Sequence, residues 1–259
     1  MNGMHHFQTG WLAPVIAYVT ACLGAAMGLR CTARSLVATG RSRLNWLLIA
    51  AACIGSGIWT MHFIGMLGCS VPSSEIRYDV PLTLVSLLVA MVVVGLGLLV
   101  VAYGRFRTRS VLLAGPCTGL GVAAMHYLGM AALQLHGEIV YDLLLVAASV
   151  LIAVVAATAA LWAAVMIKGS WGTLVASLVM GLTIASMHYT AMTAAQVHPT
   201  PVRTVLPGAS PIEFIFPIIV AVGSFLFVTC GFVALSPTVQ EMEEPVSAAM
   251  SYGASVPSE

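Results

Sequence analysis

Charge is what this sequence has least of. Lysine and arginine number 10 and aspartate and glutamate 9, so only 7% of the 259 residues are charged. A soluble domain carries about 25%, and a soluble fold could not cover its surface with this chain. The net charge is +1 and no basic cluster is interleaved with aromatics, so no nucleic-acid partner is expected. The six cysteines form no CxxC pair and no secreted-domain framework. Five of them read as small apolar residues in or beside apolar runs. The first basic residue, Arg30, follows the first apolar run, so no cleavable signal peptide is expected. No carboxylate pair or nucleophile–base set appears either, and the chain is not expected to be an enzyme.

What is there is apolar. Hydrophobic residues make up 60% of the chain and mean hydropathy is +1.01. A bilayer core needs about 20 apolar residues per helix, and the sequence supplies seven such runs. Helices are expected over residues 11–29, 44–68, 80–103, 110–135, 143–167, 171–195 and 213–235, the last interrupted by Pro217. Gly24 and Gly28 stand at GxxxG spacing, which favours close helix packing. The loops after the first, third and fifth helices carry Arg30, Arg34, Arg41, Arg43, Arg105, Arg107, Arg109 and Lys168 and no acid. Basic loops stay in the cytoplasm, which puts the N-terminus outside and the C-terminus inside. The expected fold is an all-α membrane protein with seven transmembrane helices, three helical hairpin repeats plus a closing helix, over residues 1–235. Residues 236–259 read as a disordered acidic tail.

One short phrase occurs three times: Met61-His62-Phe63-Ile64-Gly65-Met66, Met125-His126-Tyr127-Leu128-Gly129-Met130 and Met187-His188-Tyr189-Thr190-Ala191-Met192. The histidines are 64 and then 62 residues apart, on alternate helices that run the same way. Each lies about 24–27 Å along its helix from the cytoplasmic start, at 1.5 Å per residue. All three therefore belong at one level, near the outer face. An ionisable residue inside a membrane helix marks a candidate functional site.

Each histidine shares a helix face with the methionine four residues on, as in His62/Met66, His126/Met130 and His188/Met192. Met61, Met125 and Met187 point about 100° away and flank that face. Gly65, Gly129 and Ala191 are small enough to let helices approach. Converged faces would offer imidazoles and thioethers in a dry pocket, a donor set that suits copper better than zinc, calcium or magnesium. Cys69 and His6 are further candidates for the same level. The alternative is interhelical glue, with histidines hydrogen-bonded across helices. Tyr127 and Tyr189 can serve as hydrogen-bond partners in either case.

The phrase Met187-His188-Tyr189-Thr190 resembles the signature of the MHYT-domain family, bacterial membrane sensors with three such motifs on alternate helices of a seven-helix bundle. The resemblance covers about residues 5–235, including Gly-Trp-Leu and Gly-Leu-Arg-Cys around the first helix. It implies a multi-pass protein of the bacterial cytoplasmic membrane that binds copper near the outer face and senses oxygen, carbon monoxide or nitric oxide. Carried over by position, the implied ligands are His62, His126, His188 and the motif methionines. Many relatives continue into cyclic-dinucleotide enzymes. Here the signal is expected to pass to a cytoplasmic or membrane partner, through the basic loops or the tail. Two other readings stay open: a haem-binding sensor, since histidines at one level can ligate haem, and a copper carrier or oxidase-associated protein.

Overall fold

In a bilayer every backbone N–H and C=O must be satisfied within the protein, and an α-helix does so inside a single segment. The computed structural model describes residues 5–6, 11–70, 74–167, 169–200 and 205–236. It contains α1 Leu12–Val37, α2 Gly40–Leu67, α3 Val80–Tyr103, α4 Arg107–Ala131, α5 Leu143–Met166, α6 Ser170–Ala194 and α7 Phe216–Leu235. With a π-helical turn at Pro211–Ile215 joined to α7, seven helices are long and apolar enough to cross a membrane.

The helices α1 to α6 form a ring in chain order, each packed on the next, with α6 returning to α1. Small residues set the seams. A methyl group on Gly24 would stand 2.7 Å from the Cys53 carbonyl oxygen and 2.9 Å from Gly57 Cα, so α1 and α2 touch backbone to backbone. At the α6–α1 seam, the Tyr18 hydroxyl donates to the Leu178 carbonyl at 3.2 Å. Helix α7 does not close the ring. It lies against α1 and α2 from outside.

Three two-stranded antiparallel pieces cover one end of the ring. Strand β1 (His5–His6) pairs with β2 (Cys69–Ser70), β3 (Arg77–Tyr78) with β4 (Leu133–Gln134), and β5 (Gly137–Tyr141) with β6 (Ala195–Pro199). Each hairpin is thus a strand, two helices and a strand whose ends pair with each other. The sequence reading missed these strands, because pieces of two to five residues leave no alternation to read.

Several boundaries differ from expectation. Only Ala38 and Thr39 separate α1 from α2, so Arg30, Arg34, Arg41 and Arg43 sit in helices rather than in a loop. Arginine is a good helix former whose long stem reaches past apolar surface, so it ends an apolar run without ending a helix. Helix α4 likewise starts at Arg107 and stops at Ala131. Pro217 stands in the first turn of α7, directly after the π-helical turn, and the helix runs on past it. Two of the acids between helices are caps: Asp79 accepts from Leu82 N at 2.9 Å and Asp142 from Leu144 N at 2.9 Å. The acidic tail expected over 236–259 lies, from residue 237 onward, outside the described residues.

Candidate metal centre

The equal spacing of the three phrases becomes convergence because the ring brings α2, α4 and α6 inward at the same level. His62 is five residues from the end of α2, His126 five from the end of α4, and His188 six from the end of α6. All three side chains are buried. Their Nδ1 atoms form a small triangle with sides of 3.1 Å (His62–His188), 3.1 Å (His62–His126) and 3.4 Å (His126–His188). The rings stand edge to face, at interplanar angles of 73°, 82° and 78°. Among the described residues this is the one group of three or more His, Cys, Asp or Glu arranged to hold an ion.

The triangle is poorly explained by hydrogen bonding. A neutral imidazole nitrogen offers one in-plane site, either a proton or a lone pair. If His62 Nδ1 carries a proton shared between the other two, the lone pairs of His126 and His188 still face each other across 3.4 Å. A cation at the centre removes that conflict. A first-row ion with imidazole nitrogens at about 2.0–2.1 Å and tetrahedral angles sets those nitrogens about 3.3–3.4 Å apart. The observed sides of 3.1 to 3.4 Å are within reach of that figure.

The motif glycines hold the rings in place. A methyl group on Gly65 would stand 2.5 Å from His188 Nε2, and one on Gly129 would stand 2.5 Å from His62 Nε2. The His188 and His62 rings therefore each lie against the glycine of another motif helix, with Nδ1 turned to the centre. The Nε2 atoms of His62 and His126 meet no acceptor among the described residues. Position is set here by close contact, where many metal sites use an outer hydrogen bond.

The six motif methionines, Met61, Met66, Met125, Met130, Met187 and Met192, are all at most 2% exposed. Tyr127 does not serve the histidines: its hydroxyl pairs with Ser149 Oγ at 2.8 Å, while its ring meets the edge of His126 at 5.0 Å. Serine on α5 competes successfully because its hydroxyl can both donate and accept. Cys69 is a thiol donating to the Gly65 carbonyl at 3.5 Å, and burial pushes it up to about 11. His6 pairs backbone to backbone opposite Cys69, so the chain does bring it to this end.

An aromatic wall beside the triad was not foreseen. Phe63 packs on Trp59 at 4.4 Å and on Tyr78 at 5.6 Å, with the His62 ring 4.7 Å away. Trp59 Nε1 donates to Ser86 Oγ at 3.0 Å, which anchors the wall to α3. Tyr78 comes from β3, after the helix, and nothing in the spacing of the phrases points to it.

A family model described as the bacterial signalling protein N-terminal repeat, MHYT, matches residues 55–115, 119–177 and 181–238. The bifunctional diguanylate cyclase/cyclic di-GMP phosphodiesterase MucR of Pseudomonas aeruginosa is 43% identical over 183 residues, 69% of this chain and 27% of that protein. The cyclic di-GMP phosphodiesterase NbdA of the same organism is 41% identical over 204 residues, 76% of this chain and 25% of its own length. The signaling protein YkoW of Bacillus subtilis is 30% identical over 199 residues, 71% and 24% respectively. The chain thus spans about a quarter of the length of these relatives, and no solved structure matches it. Three matched repeats, each opening on a motif helix, establish that this is a multi-pass membrane protein of the MHYT family of bacterial signalling proteins.

Proposed function

We propose that the chain is a non-catalytic sensor of the bacterial cytoplasmic membrane, which binds copper through the His62, His126 and His188 Nδ1 atoms. The observation that carries this reading is the Nδ1 triangle of 3.1 to 3.4 Å, too many lone pairs at one point for hydrogen bonds alone. The buried thioethers of Met61, Met66, Met125, Met130, Met187 and Met192 supply soft donors around it, and soft donors with imidazole favour copper. When bound, copper supplies a centre that can take up a diatomic gas (O2, CO or NO) or change oxidation state. The protein's own residues hold the three imidazoles converged, and exclude water through the strand cover and the Phe63–Tyr78 wall. A change in the triangle moves α2, α4 and α6 together, because the His188 ring abuts α2 and the His62 ring abuts α4.

Orientation follows the arginines: the end carrying Arg41, Arg105 and Arg109 faces the cytoplasm, and the strand-covered triad lies just beneath the outer face. The signal passes to a cytoplasmic or membrane partner, as the cyclic-dinucleotide enzymes among the relatives suggest. A haem fits this geometry less well. Two axial nitrogens at about 2 Å on either side of an iron stand about 4 Å apart with a macrocycle between them, whereas these rings touch each other and the neighbouring helices. The test is elemental analysis of purified protein. Copper bound in the unmodified chain and absent after His62, His126 and His188 are all replaced by alanine supports the reading. Full metal content in that variant overturns it, and stoichiometric iron with a Soret band decides for haem.

A further inference from the structure

Directly behind the triad lies a cavity with no assigned role. Its lining includes Ile58, Val122 and Ile184, each four residues before a motif histidine. It also includes Ile54, Thr118 and Met180, each eight residues before. Positions four and eight back lie on the histidine's own helix face, one and two turns away. The cavity therefore lies on the arginine-end side of the Nδ1 triangle, offset towards α5, and Met187 of the third phrase reaches its wall. It measures about 50 Å³ to the centres of water-sized spheres. On that measure one water needs about 10–15 Å³, so a guest of a few heavy atoms fits.

Its chemistry excludes water. A buried water needs two to four polar partners, and the lining offers only the hydroxyls of Thr118 and Thr183. The Thr183 hydroxyl already donates to the Met180 carbonyl at 2.9 Å. An apolar cavity of this kind stays dry and binds apolar guests. On its outward side the wall is α5, the most outward-exposed helix of the ring, with the small and half-buried Ala156, Ala157 and Ala160. Toward the strand-covered end, by contrast, Phe63 and Tyr78 are fully buried.

We propose that this chamber binds a small, uncharged, lipid-soluble molecule of diatomic size, admitted from the bilayer past the α5 alanines rather than from water past the strands. Such molecules concentrate in hydrocarbon, and the chamber delivers them to the inner side of the triad. The chamber as a binding site stands on its own lining; its service to the triad rests on the metal reading above.

Xenon is the probe, because it is apolar, of the right size and indifferent to metal. The unmodified chain, in nanodiscs and stripped of metal with a chelator, is titrated with xenon and followed by xenon NMR. Protein-free nanodiscs give the background. A saturable xenon site is expected, weakened at least tenfold in Ala157→Phe, with copper content after reloading unchanged. Ala160→Leu is the second filling variant, used in the same way if the first does not fold. No saturable site above the lipid background, or equal xenon affinity in the folded filling variants, overturns the chamber. Loss of copper reading with xenon binding intact sinks the metal centre and leaves the chamber standing, so the two failures are distinct.

Discussion

The two ends of the helical ring handle polar atoms in opposite ways. At the arginine end, three guanidiniums bond to carbonyls of the protein itself. Arg43 of α2 donates to the Ala102 carbonyl at the end of α3. Arg107 of α4 donates to the Val165 carbonyl at the end of α5, at 3.2 Å. Arg34 of α1 donates to Val233 and Ser236 at the end of α7, at 2.7 and 3.1 Å. Each satisfies the orphan carbonyls and the negative pole of a helix C-terminus. At the strand-covered end, three imidazole Nδ1 atoms converge within 3.1 to 3.4 Å of one another. One end spends its donors on helix carbonyls, and the other gathers three like nitrogens at one point. A charge inside a membrane protein is thus informative only once its partner is known.

Substitutions sharpen this contrast. The largest effect is expected for His188→Ala, which removes one of the three proposed ligands. Loss of an outer-shell partner alone costs 10–100-fold in metal affinity, so at least a hundredfold loss is expected. A competitive copper titration measures it, and insertion should be normal because the helix stays apolar. Unchanged affinity would collapse the difference between the ends. Gly129→Ala comes next. Its added methyl stands 2.5 Å from His62 Nε2 and turns the ring, lowering copper affinity about tenfold with the histidines all present.

Arg34→Ala should act on stability alone. It leaves α7 carbonyls without their charged donor, at about 1.5–3 kcal/mol, and removes the guanidinium stacked 5.2 Å over the Trp46 ring. Thermal unfolding in detergent checks the loss, and copper binding should be untouched. If copper affinity falls with it, the two ends are coupled more tightly than their separate hydrogen bonds suggest. The smallest effect is expected for Asp79→Ala, which removes the cap that accepts from Leu82 N at 2.9 Å. That costs about 1 kcal/mol, again read as thermal stability with copper content unchanged.

What could be read in the sequence was what repeats over long distance. Three Met-His pairs at matching depth on parallel helices left little freedom, and the buried triad at the ends of α2, α4 and α6 followed from 1.5 Å per residue. The small residues Gly65 and Gly129 were legible in kind, as places of close approach. That each receives the histidine of a different motif helix was not, because ring order is a tertiary fact. Which nitrogen faces inward was equally hidden. The arginines misled for a physical reason: hydropathy marks where lipid ends, and a helix can continue past that point. The strands and Tyr78 left no trace, since short pairings held by backbone hydrogen bonds put no pattern on side chains.

The family repeat and the structural repeat are out of step by one helix. Matched segments begin within α2, α4 and α6, whereas the strand pairs β1–β2, β3–β4 and β5–β6 tie each hairpin's first residues to its last. Every hairpin is therefore clasped on itself as well as packed on its neighbours. A chain severed between β2 and β3 would yield two pieces, each already folded back on itself, with the seams of α1 and α2 still shaped to receive the other. Co-expressed fragments of that kind should dock into the same ring, and one missing hairpin should leave two imidazoles looking across a gap.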